Sequence, residues 1–270
     1  MTDIKLEQKY KKLKENIKQM ERAAVAFSAG VDSTFLLTVA EHVLGSCAVA
    51  VSVEADWVPL RERREAEDFC KCRGIRRICL GVKAEDIPGF AENPPERCYL
   101  CKKVLFTKII EAARAEGIAY VVEGSNTDDL FDYRPGLKAL GELGVKSPLR
   151  EAGLCKAEIR ELSRMLNLPT AEKPSFACLA SRIPYGEIIT AEKLSMAQQG
   201  EQLLLEKGFG QFRVRVHGNL ARIEVLPEEM ERLMHEPLRG EIYRGLKKLG
   251  FSYVALDLKG YRTGSLNEVL

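Results

Sequence analysis

A chain of 270 residues with 46% hydrophobic content is long enough to bury one large core or two modest ones, and we expect two domains. Lysine and arginine total 41 against 39 aspartates and glutamates, so the net charge of +2 argues against nucleic acid as the main ligand. No apolar run approaches a membrane span and no secretory signal pattern is present, so we expect a cytoplasmic protein whose eight cysteines serve as thiols or metal ligands rather than in disulfides.

The N-terminal segment is predicted to form an amphipathic helix. Its apolar residues recur at steps of four and three, with lysines between them: Leu6, Tyr10, Leu13, Ile17 and Met20. A basic amphipathic helix can lie on a membrane surface. A stripe of five apolar positions favours instead packing against a neighbouring domain.

Residues 24–37 (AVAFSAGVDSTFLL) have the pattern of a strand, a tight loop and a helix. The loop is built of small residues and opens a helix, so its backbone N–H groups and the positive helix end are expected to hold an anion. No Gly-Lys-Ser or Gly-Lys-Thr follows, which excludes a Walker loop, and the spacing is wrong for the dinucleotide fingerprint. The alternative is an ordinary βα turn of small residues.

The loop sequence SAGVDS resembles the PP-loop (SGGxDS) of ATP pyrophosphatases, which cleave ATP between the α- and β-phosphates. The resemblance implies contacts to ATP from Ser28, Gly30, Val31, Asp32 and Ser33. Ala29 replaces a glycine of the motif. Because a methyl group disfavours the left-handed region, we expect a negative φ at Ala29 and leave the positive φ to Gly30.

The following elements predict an α/β fold. Apolar runs at residues 47–53, 77–80 and 118–122 alternate with helical patterns, one of which ends near Arg73. This alternation indicates a doubly wound parallel sheet of the PP-loop, adenine nucleotide alpha hydrolase-like kind, with ligands at the carboxyl ends of its strands.

Beyond Thr190 the pattern changes. A helix at 191–207 leads to alternating strands at 212–216 and 221–226 and, after helical stretches, to a strand at 252–258. We therefore predict a PP-loop domain over residues 1–189 and a smaller α+β domain for substrate binding or oligomerisation over residues 190–270.

The segment EGSNTDD, residues 123–129, follows the fourth predicted strand and so falls on the same sheet edge as the loop at 28–33. It resembles a G-T/S-N-x-D-D segment of several PP-loop enzymes, which places Gly124 and Asn126 at ATP. Two adjacent carboxylates, Asp128 and Asp129, facing a triphosphate imply Mg²⁺, with Asp32 as a further ligand. The alternative is an Asp-rich turn that caps the next helix.

Two irregular, proline-bearing segments, at 81–95 and 169–184, deliver cysteines. The first leads to Cys98-x-x-Cys101 and the second contains Cys178. Three thiolates are one short of a structural zinc site and suit a 4Fe–4S cluster with one open iron. The remaining cysteines are interpreted as structural: Cys47 and Cys79 in apolar strands, Cys70 and Cys72 on a helix, and Cys155 at a helix start before Lys156.

Arg213 and Arg215 alternate along a predicted strand, so period two puts both guanidinium groups on one face. Two such groups suit a phosphate or a carboxylate, and Glu201 on the preceding helix could pair with them. The alternative is a solvated strand face.

Together these segments resemble the LarE family, ATP-dependent sulfur transferases that help make the nickel-pincer nucleotide cofactor of lactate racemase. The resemblance runs from about Glu21 to Val225 and is most specific in ACLASRIPYG. It is carried by SAGVDS, RCYLCK, EGSNTDD, DYRPGLKAL (132–140), VKSPLREAGL (145–154), KPSFACLASRIPYG (173–186) and FRVRVHGNLARIEV (212–225).

The resemblance implies that ATP adenylates a carboxylate of pyridinium-3,5-biscarboxylic acid mononucleotide, with release of pyrophosphate, before sulfur replaces oxygen. It assigns catalysis to Cys178, Asp32 and Glu201, and substrate or phosphate binding to Ser181, Arg182, Arg213 and Arg215. It also implies a homo-oligomer.

The source of sulfur has two readings. Cys98, Cys101 and Cys178 together favour the cluster-dependent version, because family members that sacrifice a cysteine lack the Cys98–Cys101 pair. The alternative is that Cys178 gives up its own sulfur. Two other functions stay open: a PP-loop tRNA thiolase, which the net charge of +2 disfavours, and a non-enzymatic nucleotide- or metal-sensing protein.

Overall fold

The computed structural model describes residues 4–131, 135–174 and 177–269. Residues 132–134 of DYRPGLKAL and residues 175–176 of KPSFACLASRIPYG lie outside the described residues. The chain forms two compact units: Met1–Ile87 with Cys98–Phe176, and Pro88–Arg97 with Ala177–Leu270. The domain boundary between residues 189 and 190 stays a prediction.

The first unit contains a four-stranded sheet. Its strands are β1 (Ala23–Ala26), β2 (Ala48–Glu54), β3 (Arg77–Gly81) and β4 (Tyr120–Val122), in the spatial order β3-β2-β1-β4 and all parallel. β1 is therefore central, and its Val25 lies in register with Ala50 on one side and Val122 on the other. The carboxyl ends of all four strands meet at one edge, as the α/β prediction requires.

Helices cover both faces of this sheet: α1 (Ile4–Lys18), α2 (Val31–Leu44), α3 (Leu60–Arg73), α4 (Arg97–Ala115), α5 (Gly136–Glu142), α6 (Pro148–Glu151) and α7 (Lys156–Met165). Because strand side chains alternate, β1 divides its residues between two apolar layers. Ala23 and Val25 pack in a core with residues of α1, α2 and α7. Ala24 packs in another with Ile109 and Ala113 of α4. The predicted doubly wound sheet is confirmed.

The amphipathic helix α1 belongs to the core of the first unit. Leu6, Leu13 and Ile17 are buried, and Tyr10 packs against the same cluster. The apolar stripe thus covers protein rather than lipid, and among the described residues no helix combines the length and apolarity that crossing a bilayer needs.

The second unit is smaller and contains a mixed sheet. It comprises α8 (Ala191–Glu206), β5 (Phe212–His217), β6 (Leu220–Val225), α9 (Pro227–Met234), α10 (Leu238–Lys248) and β7 (Tyr253–Leu256). β5 pairs antiparallel with β6, which pairs parallel with β7. α8 lies close on β5 because Gly200 has no side chain: a Cβ there would come 3.0 Å from Val214 Cγ1. This arrangement confirms the predicted α+β part of the chain.

We expect Leu13→Ala to lower the free energy of unfolding by about 2–5 kcal/mol, because the side chain is completely buried and its removal leaves a cavity. Lys12→Ala, on the exposed side of the same helix, is the control. Urea denaturation of both variants is the measurement. Equal small losses would mean that α1 is not part of the core.

Candidate active site

The loop after β1 turns directly into α2 at the carboxyl edge of the sheet. Gly30 caps the helix with extended backbone (φ −80°, ψ 167°), and its carbonyl accepts the N–H of Thr34 at 2.9 Å. The first N–H groups of a helix have no partner within the helix, and its dipole adds positive potential there. The predicted strand, loop and helix are all present, and the loop can hold an anion.

Ala29 contradicts the expectation made for its backbone. Its φ is +55°, whereas φ of Gly30 is −80°. The prediction of a negative φ was wrong because the tight connection places the left-handed residue one position before the helix cap. A non-glycine residue in this region costs about 1–2 kcal/mol. Lys173 Nζ donates to the Ala29 carbonyl at 2.8 Å and pairs with Glu65, so the strained residue is held from outside the loop.

Ser33 closes the loop. Its hydroxyl accepts the N–H of Ser28 at 3.3 Å, lies 3.1 Å from Ser28 Oγ and donates to the Gly30 carbonyl at 3.3 Å. The segment after β4 lies directly against this point, since a Cβ on Gly124 would come 3.0 Å from Ser33 N. The structure thus brings the two predicted ATP segments together, and glycine is needed at position 124 for that approach.

Asp32 meets a residue that sequence reasoning had not assigned to the site. Its carboxylate forms an ion pair with Lys156 Nζ and accepts a long hydrogen bond of 3.4 Å from Asn126 Nδ2. Lys156 is the first residue of α7, and its N–H donates to Asp128 Oδ2 at 3.0 Å. Lys156 therefore connects both predicted ATP segments. Its only sequence signal was its place at a helix start.

The two adjacent aspartates both accept backbone or capping hydrogen bonds. Asp128 binds the first N–H of α7, and Asp129 Oδ2 accepts the N–H of Asn126 at 2.9 Å. These contacts are the ones that the capping alternative describes. Since carboxylates with remaining lone pairs can also bind a cation, Mg²⁺ at Asp128 and Asp129 stays a prediction.

In the second unit, a short 3₁₀ turn (Leu179–Arg182) carries a buried ion pair. Arg182 is fully buried, and its Nε and Nη2 donate to the two carboxylate oxygens of Glu201 on α8 at 2.6 and 3.0 Å. Arg182 Nη1 donates to Ser181 Oγ at 2.7 Å, and Ser181 Oγ donates to the Cys178 carbonyl at 2.8 Å. Four predicted site residues therefore belong to one hydrogen-bonded group.

Arg215 joins the same group from β5. Its guanidinium makes a two-pronged pair with Glu224 at 3.0 and 2.9 Å and donates to the Ser181 carbonyl at 2.6 Å and to Ser265 Oγ at 2.8 Å. Arg215 is thus bonded to Glu224, whereas the suggested partner, Glu201, is bonded to Arg182. Sequence reasoning missed Glu224 because its pairing depends on the register of β5 with β6.

Arg213 lies beside this group and is equally buried. The exposed fractions of Arg213 and Arg215 are 4% and 5%, so the alternative of a solvated strand face is wrong. Arg213 donates to the Phe212 carbonyl at 2.6 Å, and its Cζ lies 4.9 Å from the ring centroid of Tyr261. Burial and then the charge of Arg182 lower the pKa of Arg213 to about 10, so it remains a cation at neutral pH.

The cluster carries more positive than negative charge. Its buried guanidinium groups belong to Arg182, Arg213 and Arg215, whereas its buried carboxylates belong to Glu201 and Glu224. Buried charges are stable when they are balanced, and guanidinium groups match phosphate oxygens in geometry. An anion is therefore the ligand that this cluster suits.

The three candidate cluster cysteines are distributed over the two units. Cys98 and Cys101 lie near the start of α4, three residues apart and thus on one side of the helix, and both are partly exposed. Cys178 precedes the 3₁₀ turn of the second unit. Across residues 4–131, 135–174 and 177–269, no group of three or more His, Cys, Asp or Glu side chains forms a metal-binding arrangement. The pair fits two cluster ligands, and the three-cysteine site stays a prediction.

The interpretation of the other cysteines as structural residues in apolar strands and on a helix needs correction. Cys47 is half-buried and ends a 3₁₀ turn (Gly45–Cys47) before β2. Cys70 is buried, and its burial raises the pKa of the thiol to about 11. Cys79 is exposed because β3 is an edge strand, and Cys72 is exposed on α3. Cys155 starts α7, as predicted, and its N–H donates to Glu158 at 2.9 Å.

The chain matches no family model, but it is similar to known proteins over most of its length. It is 41% identical over 265 residues to the uncharacterised protein slr1717 of Synechocystis, covering 98% of this chain and 99% of that protein. It is 34% identical over 257 residues to pyridinium-3,5-bisthiocarboxylic acid mononucleotide synthase of Lactiplantibacillus plantarum, covering 94% and 92%. It is 27% identical over 219 residues to a component of the glutamine-hydrolysing GMP synthase of Archaeoglobus fulgidus, covering 75% and 70%.

We expect Ala29→Gly to cause no loss of stability. Relief of the left-handed backbone, about 1–2 kcal/mol, offsets the added freedom of glycine in the unfolded chain, about 0.4–1 kcal/mol. Ala112→Gly, in the interior of α4, is the control and should lose about 1 kcal/mol. Denaturant unfolding of both variants is the measurement, and equal losses would contradict the strain at Ala29.

Proposed function

The chain belongs to the LarE family of ATP-dependent sulfur transferases in the PP-loop superfamily, and we propose that it converts pyridinium-3,5-biscarboxylic acid mononucleotide to a thiocarboxylate. The observation that carries this proposal is the loop at 28–33, whose helix N-terminus and Asp32–Lys156 pair are suited to a nucleoside triphosphate, in a chain 34% identical to a synthase of that product type.

In the first half of the proposed reaction, a substrate carboxylate oxygen attacks the α-phosphorus of ATP. The bond from that phosphorus to the bridging oxygen of pyrophosphate breaks, which gives an acyl-adenylate and pyrophosphate. The N–H groups at the start of α2 stabilise the departing pyrophosphate. Lys156, which is paired with Asp32, and Lys173, which is paired with Glu65, lie close to the same loop.

Mg²⁺ would be held by Asp32 together with Asp128 and Asp129, and its chemistry would be to neutralise the phosphate oxygens. The donor chemistry fits, since all three groups are carboxylates in segments that follow β1 and β4, although within the described residues they form no metal-binding arrangement. Lys156 neutralises Asp32 in the structure. Binding of the cation to Asp32 therefore implies that Lys156 turns from the carboxylate to a phosphate.

In the second half, a sulfur nucleophile forms a bond to the acyl carbon, the bond from that carbon to the adenylate oxygen breaks, and AMP leaves. The arginine cluster of the second unit supports a mononucleotide substrate, because its surplus positive charge suits a phosphate and Ser181 adds a hydroxyl to it. Glu201 holds Arg182 in place and so acts on the substrate through that arginine.

For the sulfur source we propose a 4Fe–4S cluster held by Cys98, Cys101 and Cys178, which would supply sulfide at its open iron. The donor chemistry supports this choice, since Cys98 and Cys101 are partly exposed cysteines outside any disulfide and lie three residues apart on α4. The alternative is the same reaction with Cys178 as a sacrificial donor.

A PP-loop tRNA thiolase is the less favoured function. We also propose a homo-oligomer.

The proposed function is tested by pyrophosphate release. We expect release to require both ATP and the pyridinium mononucleotide, and to fall about 100-fold or more in Asp32→Asn, which keeps the shape of the side chain and removes its charge. Asp68→Asn, on the exposed side of α3, is the control and should match the wild type. Pyrophosphate release that does not depend on the mononucleotide would contradict the proposed function. An unchanged rate of release in Asp32→Asn would contradict the role of Asp32.

The proposed 4Fe–4S cluster is tested separately by measuring iron and labile sulfide content. Protein purified without oxygen should hold about four irons per chain, and a variant with Cys98, Cys101 and Cys178 changed to Ala should hold none. Cys72→Ala and Cys79→Ala, which remove exposed thiols elsewhere, are controls. An iron-free protein that thiolates substrate once, with loss of hydrogen sulfide from Cys178, would instead establish the sacrificial mechanism.

A further inference from the structure

Arg97 is buried with only neutral partners among the described residues. It is 2% exposed, and its Nη1 donates to Asn93 Oδ1 and, at 3.0 Å, to the Ala180 carbonyl. Its Cζ lies 5.1 Å from the ring centroid of Tyr185. Its Nε has no hydrogen-bond acceptor within the described chain. All of these residues belong to the second unit.

A guanidinium group in this position is a poor choice for stability alone. Burying a cation without a carboxylate costs free energy that neutral acceptors repay only in part, and an apolar side chain of similar volume would avoid the cost. Arg182 and Arg215, by contrast, each have a two-pronged pair with a glutamate. We therefore expect the role of Arg97 to lie in the segments that its hydrogen bonds connect.

Arg97 belongs to a set of hydrogen bonds, here called the tie, that joins residues 93–97 to residues 180–186 of the second unit. Asn93 is fully buried, and its Nδ2 donates to the carbonyls of Ile183 and Pro184 at 3.1 and 2.6 Å, while its own carbonyl accepts the N–H of Gly186 at 3.0 Å. Arg97 adds the contact to Ala180, 83 positions along the chain. Arg97 thus fixes the 3₁₀ turn itself, and Asn93 fixes the residues that follow it.

We infer that Arg97 is a positioning residue that orients the turn bearing Cys178, Ser181 and Arg182. Ala180 lies between Cys178 and Ser181, so fixing its carbonyl fixes the backbone from which those side chains project. This inference rests on the proposed function, which alone assigns those three residues to the reaction. Errors of about 1 Å in such placement cost about 100-fold in rate, so the effect of Arg97 is large enough to measure.

The test is the kinetics of Arg97→Met in the full-length protein. We expect KM for the pyridinium mononucleotide to rise about tenfold and kcat to fall by a similar factor, because substrate and sulfur donor are both held by this turn. KM for ATP, which is assigned to the first unit, should stay within about twofold. Alkylation of Cys178 in cluster-free protein and in the absence of substrate, followed by mass spectrometry, should become several times faster, because the turn loses its fixed position.

Two further variants keep the inference falsifiable. Arg232→Met is the control for removing an arginine of the second unit. Arg232 donates to the backbone carbonyls of Lys207 and Gly208, and its Cζ lies 4.6 Å from the ring centroid of Phe209, but it is exposed, so the variant should leave kinetics and alkylation unchanged. Asn93→Gly removes the other half of the tie while allowing the positive φ of 56°. Asn93→Gly should change KM, kcat and alkylation in the same way as Arg97→Met. If Arg97→Met does not fold, Asn93→Gly alone tests whether these contacts position the turn.

The outcomes separate this inference from the function on which it depends. A wild-type protein that releases no pyrophosphate with the mononucleotide contradicts the proposed function. A wild-type protein that does so, with Arg97→Met and Asn93→Gly equal to it in KM, kcat and alkylation, overturns the role of Arg97. Parallel losses for ATP and the mononucleotide, or losses as large in Arg232→Met, also overturn it, because they would indicate general loosening.

Discussion

The buried ion pair between Arg182 and Glu201 is the interaction on which the second unit's site depends. Glu201 comes from α8 and also accepts the N–H of Val214 on β5 at 3.2 Å, so one carboxylate joins the turn, the helix and the sheet. Truncating one member of such a pair leaves the other charge buried and uncompensated, which costs about 3–5 kcal/mol. Loss of either partner would therefore disturb the turn, the helix and the strand together.

The remaining contacts of the cluster follow from this constraint. Because Arg182 is held, Ser181 is held between Arg182 and Arg215, and the carbonyl of Cys178 is held by Ser181. A preorganised group of this kind loses little freedom when a ligand binds. Three buried guanidinium groups and two buried carboxylates make the cluster suited to an anion. The same side chains thus fix the position of the turn that bears Ser181 and supply the positive charge beside it.

The proposed role of the first unit is different: it would hold phosphate groups with few charged side chains. Its loop relies on backbone N–H groups, which requires β1 to pass into α2 through very few residues. That requirement places Ala29 in the left-handed region, where Lys173 and Ser33 hold the loop in shape. Lys156 and Asp32 neutralise each other, so neither is left as an isolated charge at the edge of the sheet.

Local patterns in the sequence determined the elements and much of the candidate site. Periodicity alone predicted β1, the loop and α2, and the shared face of Arg213 and Arg215, because each depends on residues a few positions apart. Tertiary structure decided the sign of φ at Ala29, the partner of Arg215, and the contacts of Lys156 with Asp32 and Arg97 with Ala180, which join residues 124 and 83 positions apart. Such pairings depend on strand order, register and the path of the connections, and no local period encodes them.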